Sequence, residues 1–370
     1  MSLVLDFALY ALSALFAWIT STSSTLPAHR AWGEFAVWGY GAAALLVFVF
    51  FRKRLWLTIL AWIGTALVPL VILAQRGLYQ EEVFVVEESA RRFLETGTPY
   101  LDRAAIAALP EPLLAYTPYQ PGMAIFGLPR ALIGDYWWTD ARVYFALATA
   151  AALFGAARLL WPHRHLVRAI QFATVLPLCA LTLATGGDDL PVLALCLLAF
   201  AFAARERFGW AGVAIGLAAA MKLFAWPVAL VLGIYAVSRR YTVAAIGVPL
   251  AAMVPVLAIN ANSFVENVIR FPTGQGLVTS PAASPLVGYL IAQHLPNGRL
   301  IALALLLAVG FGLAAYLAKN QPRDARAVAI ICAIGLLAAI LLMPSTRFGY
   351  LLYPVAFAFW APCLRNVEPR

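Results

Sequence analysis

Ten apolar runs, each read as long enough to cross a bilayer, constrain this chain more than any other feature. They lie near 3–21, 34–51, 55–75, 140–161, 169–185, 189–204, 241–259, 299–318, 327–343 and 348–364. In lipid every backbone polar group must be satisfied within the protein, which leaves helices or closed barrels. The ten-residue alternation of barrel strands is absent. Hydrophobic residues make up 63% of the chain and charged ones 12%, about half the ~25% of a soluble domain. With a mean hydropathy of +0.85, a cytosolic enzyme is excluded. So is disorder, which needs low hydrophobicity and high charge. The expected fold is an all-α polytopic membrane protein, one transmembrane domain over residues 1–370, with about ten full spans.

The first run carries Asp6 and no basic flank, so it reads as a retained span and not as a signal peptide. Cys179, Cys196, Cys332 and Cys363 all sit inside apolar runs and read as small buried hydrophobes, not as a disulfide framework or zinc site. Sidedness follows from the bias of Lys and Arg toward the cytoplasm. Arg52-Lys53-Arg54 fixes one loop. Alternating from it places 15 basic residues, out to Arg365 and Arg370, on that side against four acids, Asp6, Glu206, Asp324 and Glu368. The opposite side holds 10 basic and 13 acidic residues. The expected topology is N-in and C-in, in a bacterial plasma membrane. The high pI of about 9.6 is then an orientation signal, and no nucleic-acid partner is expected.

Two stretches break the simple pattern. Residues 209–237 are apolar with basic residues at both ends. A helix of that length is about 43 Å long, too short for two crossings of a ~30 Å core. A broken or re-entrant hairpin with Lys222 near its tip is expected. Residues 119–134, punctuated by Pro121, Gly122 and Pro129, read as a juxtamembrane helix within an outer loop that spans 76–139. A second outer loop covers 260–298.

Polar chemistry collects on the outer side. The segment 76–118 holds seven of the 17 acids. Within EEVFVVEESARRFLETG, Val83, Val86, Ala90, Phe93 and Leu94 form one helical stripe. Gly97 stops that helix and Pro99 prevents its restart. Such a helix should lie flat on the outer leaflet. Glu81, Glu88 and Glu95 fall on its solvated face, whereas Glu82 and Glu87 border the stripe. A border carboxylate is partly desolvated, which favours a general base; an ordinary solvated charge is the alternative. Asp188 and Asp189, in TGGDDLP, follow span 169–185 through a very short connection. They would orient a sugar or the base, or hold a divalent cation if further oxygen ligands converged; Asp189 could equally cap the next helix. An ionisable residue in an apolar run marks function by default, which singles out Lys222, with snorkelling or a structural ion pair as the alternative. Arg347 in MPSTRFGYLLYP, with Tyr350 one turn on, and Arg270 in ENVIRFPTGQG are suited to bidentate phosphate recognition. His29 and His294 show no partner pattern. No phosphate-binding Gly-rich loop, GxSxG elbow or HExxH occurs, so no cofactor is indicated. A reaction on the outer face would need an activated donor that arrives through the membrane, and a lipid-phosphate sugar meets that need.

The order of these pieces resembles the GT-C glycosyltransferases, and more narrowly glycosyltransferase family 87, the actinobacterial polyprenyl-phosphate-mannose-dependent mannosyltransferases. The resemblance rests on Gly97–Tyr100, Tyr116-Thr117-Pro118, GGDDLPVLAL, AGVAIGLAAAMKLFAWP, ENVIRFP with SPAASPL, and PSTRFGYLLYP, and runs from about residue 76 to 364. It implies a membrane glycosyltransferase moving a sugar, mannose first, from a polyprenyl-phosphate donor to a glycolipid or cell-envelope glycan acceptor, usually with inversion. Alignment on Gly97–Tyr100 puts Glu82 where the family commonly has Asp as base. Combining both readings, Glu82, Asp188 and Asp189 are the catalytic candidates. Lys222, Arg347, Tyr350, Arg270, Glu81 and Tyr116 are the substrate-binding ones. A lipid-linked-sugar flippase or transporter is the competing reading. It calls for charges along a midplane path and often an internal repeat, of which only Lys222 is seen.

Overall fold

The computed structural model describes residues 2–365, so Glu368 and Arg370 of the charge count lie outside the described residues. The chain is all-helical. Among the described residues there is no strand, only one isolated parallel bridge between Ala283 and Thr346. In chain order the main helices are α1 (Ser2–Ser23), α2 (Pro27–Leu46), α3 (Arg54–Gln75), α4 (Glu81–Thr96), α5 (Pro121–Ile133), α6 (Ala141–Leu160), α7 (Leu166–Thr174) and α8 (Pro177–Thr185). They continue with α9 (Asp189–Ala204), α10 (Phe208–Met221), α11 (Ala225–Ala236), α12 (Arg239–Arg270), α13 (Val287–His294), α14 (Gly298–Lys319), α15 (Ala325–Leu342) and α16 (Phe348–Leu364).

By length and composition six described helices can cross a membrane, or seven if α7 and α8, bent by 44° at their junction, count as one span. These seven fall on seven of the ten expected runs. The other three runs fall on α2, which carries His29, Arg30 and Glu34 in its first turns, and on the shorter α9 and α16. A helix of 16 residues is about 24 Å long. For α9 that shortness has a structural setting: it is nearly buried along its whole length, enclosed by α6, α10, α15 and α16 rather than by lipid. The 209–237 stretch is two helices, α10 of 14 and α11 of 12 residues. Lys222 is the extended residue at which α10 ends (φ −144°, ψ 145°). Pro227 sits in the first turn of α11, where its missing N–H has no intrahelical partner to lose. On its other side α10 lies against α12 at backbone distance. A Cβ on Gly212 would fall 2.5 Å from the Tyr241 carbonyl oxygen, and one on Gly216 would fall 2.8 Å from that of Ala244. Small residues at such seams let membrane helices approach.

One end of the bundle gathers residues assigned to the cytoplasmic side. Asp6, from α1, takes Arg54 at 2.5 Å and Arg168 at 2.8 Å, and Gln171 donates to the same carboxylate. The four cysteines are buried and free. The amphipathic α4 differs from expectation in what covers it. Val83, Val86 and Ala90 are buried against the protein, by Gly186 and by Gly127 of α5, while only Phe93 and Leu94 remain exposed. The stripe is therefore mostly a protein-packing face.

Candidate active site

Four segments far apart in sequence meet at the end of the bundle opposite Asp6. The first is the start of α4. Gln80 precedes it with extended backbone, and its N–H donates to the Thr185 carbonyl at 2.8 Å, which ties α4 to the end of α8. The Gln80 side chain spans the same junction, 3.0 Å from the Thr185 hydroxyl and 2.7 Å from His29 Nε2. Arg142, fully buried, braces the same region. It clasps Asp140 through Nε and Nη2 at 2.9 and 2.7 Å and donates from Nη1 to the carbonyl of Leu78 at 2.7 Å. Gly186 closes α8 with φ +109°, and a Cβ there would fall 2.1 Å from Val83. Only glycine both adopts that conformation readily and leaves room for α4.

The second segment is Asp188-Asp189, immediately beyond Gly187. Neither carboxylate caps α9. Both turn to Lys222, at 2.7 Å from Asp188 Oδ1 and 2.6 Å from Asp189 Oδ1. The Tyr353 hydroxyl donates to the same Asp189 oxygen at 2.9 Å. Asp188 Oδ2 is buried with no hydrogen-bond partner among the described residues. Burial pushes the Asp188 carboxyl up to about 6, with Lys222 pulling it down and the charges of Asp189 and Glu82 adding to the rise. Lys222, the third element, lies 5.4 Å from the ring centre of Tyr119 and 5.9 Å from that of Tyr350, within cation–π range. The fourth is Arg347, just ahead of α16, which forms an ion pair with Glu82; the two side chains are 33% and 13% exposed. Two cations thus face three carboxylates in a largely dehydrated setting, where electrostatic interactions exceed their strength in water.

Glu82, Asp188, Asp189, Lys222, Arg347 and Tyr350 therefore come together. Glu81 does not join them; it is exposed on the outer face of α4 and makes no ion pair among the described residues. Arg270 and Tyr116 belong to a neighbouring cluster built on buried Glu266. That carboxylate accepts from Tyr116 at 2.8 Å, from Arg103 at 2.9 Å and from Arg270 at 3.4 Å. The segment that begins at Tyr116 then runs to the main site, where the Gln120 N–H donates to the Met221 carbonyl beside Lys222. Sequence reasoning did not find Tyr119, Tyr353, Gln80 or Arg142. The spacing of Tyr353, one turn beyond Tyr350, was the one available signal. Glu87, read together with Glu82 as a border carboxylate, is engaged elsewhere. Glu87 accepts from the Ala141 N–H at 3.0 Å and pairs with Arg130 at 3.2 Å, and burial pushes its carboxyl up to about 7. Among the described residues no three His, Cys, Asp or Glu side chains are grouped to hold a metal ion.

The sequence profile of glycosyltransferase family 87 matches residues 116–344. No curated protein matches the chain. Among solved structures the chain is similar to ArnT from Cupriavidus metallidurans. Against its undecaprenyl phosphate-bound form the identity is 17% and the TM-score 0.49, over 82% of this chain and 59% of that one. Against the apo form the values are 18% and 0.48, over 82% and 58%. The chain thus spans less than two thirds of ArnT's length.

Proposed function

The chain belongs to glycosyltransferase family 87, and from that premise we propose that it transfers a sugar, mannose first, from a polyprenyl-phosphate donor to a glycolipid or cell-envelope glycan on the extracytoplasmic face of the plasma membrane, with inversion. The observation that carries this reading is the meeting of Glu82–Arg347 with Asp188, Asp189 and Lys222 at one end of an apolar helical bundle. A lipid-linked donor needs that combination: apolar walls for the chain, cations for the phosphate and a carboxylate for the proton.

In the proposed reaction Glu82 takes the proton of an acceptor hydroxyl as its oxygen bonds to the anomeric carbon. The bond from that carbon to the phosphate oxygen breaks, and its electron pair leaves with the polyprenyl phosphate. The leaving phosphate gains a negative charge, which Lys222 and Arg347 stabilise more in the transition state than in the ground state. Asp188 and Asp189 hold Lys222 in place, and the unpartnered Asp188 oxygen is free to accept from a sugar hydroxyl. Before donor binds, each cation is occupied by an acid. Donor phosphate draws Arg347 toward itself and frees Glu82 to act.

The test is Glu82→Gln in purified protein supplied with polyprenyl-phosphate-mannose. General-base catalysis typically contributes 10²–10⁴-fold, so turnover should fall by at least about a hundredfold while the donor still binds. Near-normal turnover would remove Glu82 from the base role.

A further inference from the structure

Six outer arginines pair with carboxylates, Arg91 with Glu88 among them, and of the four that do not among the described residues, Arg299 is the one with a buried nitrogen that has no partner. Arg347 is paired with Glu82, Arg103 and Arg270 with Glu266, Arg130 with Glu87, and Arg142 with Asp140. Arg299, at the start of α14, has no carboxylate or hydrogen-bond partner among the described residues, and its Nε is buried. It lines a cavity of about 380 Å³ together with Thr279, Ser280, Tyr289 and Ser345. That size is in the range of small-molecule sites. The helices that carry Tyr289 and Arg299 are held by close backbone packing next to those residues. Gly288 of α13 lies where a Cβ would be 2.0 Å from the Leu342 carbonyl oxygen, and Gly298 where one would be 1.9 Å from that of Ile291. The guanidinium itself rests on Gly274, in left-handed conformation at φ +75°; a Cβ there would fall 1.6 Å from an Arg299 terminal nitrogen.

The cavity adjoins the site described above through one short segment. Ser345 lines the cavity, Thr346 exchanges backbone hydrogen bonds with Ala282 and Ser284 at 2.9 Å each, and Arg347 follows. From Ser345 to Arg347 is about 7 Å of extended chain.

We propose that this cavity is the acceptor subsite, and that it takes an acceptor carrying an anionic group, phosphate or carboxylate, beside sugar hydroxyls. The anion pairs with the free fork of Arg299, whose geometry matches such groups. The hydroxyls bond to Thr279, Ser280 and Ser345. The acceptor is then anchored one short segment from Glu82, with its reacting hydroxyl directed toward the Arg347 side. This deepens the transferase reading and rests on it for the word acceptor; the anion site itself stands on the geometry of Arg299 alone.

The experiment uses the full chain in phosphatidylcholine nanodiscs, titrated with sodium phosphate at constant ionic strength and followed by thermal unfolding. Wild type should show saturable stabilisation. Arg299→Gln should weaken it at least tenfold. Gly274→Ala, which keeps the arginine but removes its seat, should weaken it as well. Arg91→Gln, an exposed arginine outside both sites, should leave it in place. Stabilisation that appears without added phosphate in discs containing phosphatidylinositol, and depends on Arg299, identifies a lipid headgroup as the source of the anion; stabilisation by free phosphate alone identifies a soluble one. Equal affinity in wild type and Arg299→Gln, or an equal loss in Arg91→Gln, would overturn the proposal, as would no saturable effect in wild type. Because binding is read without turnover, a wild-type protein that bound phosphate through Arg299 but transferred no sugar would refute the transferase reading and spare this one.

Discussion

Lys222 holds two carboxylates that are almost entirely removed from water. Deleting one partner of a buried ion pair leaves an uncompensated charge, at a cost of about 3–5 kcal/mol. Lys222→Met should therefore lower thermal stability markedly in detergent. The triple variant Lys222→Met, Asp188→Asn, Asp189→Asn should recover most of the loss, because no charge is then left alone. Equal destabilisation in both would show that lysine packing, and not its charge, is what matters. The second residue-scale expectation concerns pH. Burial holds the Asp188 proton up to about pH 6 in the free protein. Below that pH the cluster has two cations against two carboxylates; above it a third negative charge repels the donor phosphate. Donor affinity should fall as pH rises through about 6, and Asp188→Asn should flatten that profile in a binding titration. Lys222 was legible in the sequence because a charge in an apolar run has few innocent explanations. Its partners were half legible: Asp188 and Asp189 stood out as a pair, but Tyr119 and Tyr353 did not, since aromatic residues are common in such runs and nothing local marks which ring faces the ammonium.

The elements that carry these residues are fixed by close backbone contacts more than by propensity. Helix α4 brings Glu82 to Arg347 because Val83 packs on Gly186 and Val86 on Gly127. Its middle is tied to the start of α6 by Glu87, whose carboxyl accepts from the Ala141 N–H. The folded-state value of Glu87 is raised from 4.5 to about 7, so the carboxyl is more easily kept neutral in the folded protein than in the unfolded chain. Its contribution to stability is complete below about pH 4.5 and is lost as pH rises through 7. At ~1.4 kcal/mol per unit the full loss is about 3 kcal/mol. Glu87→Gln keeps the acceptor oxygen without the titration, and should flatten the decline in melting temperature between pH 5 and 8. The helical period and the terminal Gly97 of α4 could be read from sequence, and so could the border position of Glu82. What covers the apolar stripe could not, because a lipid surface and a glycine-lined helix present the same demand to Val83 and Val86. The break at Lys222 was legible for a plainer reason: a 29-residue apolar stretch with basic ends is too short for two full crossings, and one crossing would put its ends on opposite sides.

At the scale of the whole molecule, the charge asymmetry and the site make one joint claim. Asp6, Arg54 and Arg168 gather at one end of the bundle, and Glu82, Asp188, Lys222 and Arg347 at the other. If the Arg-rich end faces the cytoplasm, the second end faces outward, where no nucleotide-sugar is available and a lipid-borne donor is required. Sidedness can be read directly, since the four native cysteines are buried and give a quiet background for labelling. Glu111 and Lys53 are both exposed and belong to loops assigned to opposite sides. Glu111→Cys should react with a membrane-impermeant maleimide in intact cells, and Lys53→Cys only after permeabilisation. The reverse pattern would put the Glu82 site on the cytoplasmic face. A nucleotide-sugar donor would then be accessible, and the case for a polyprenyl-phosphate donor would lose the physical reason on which it stands.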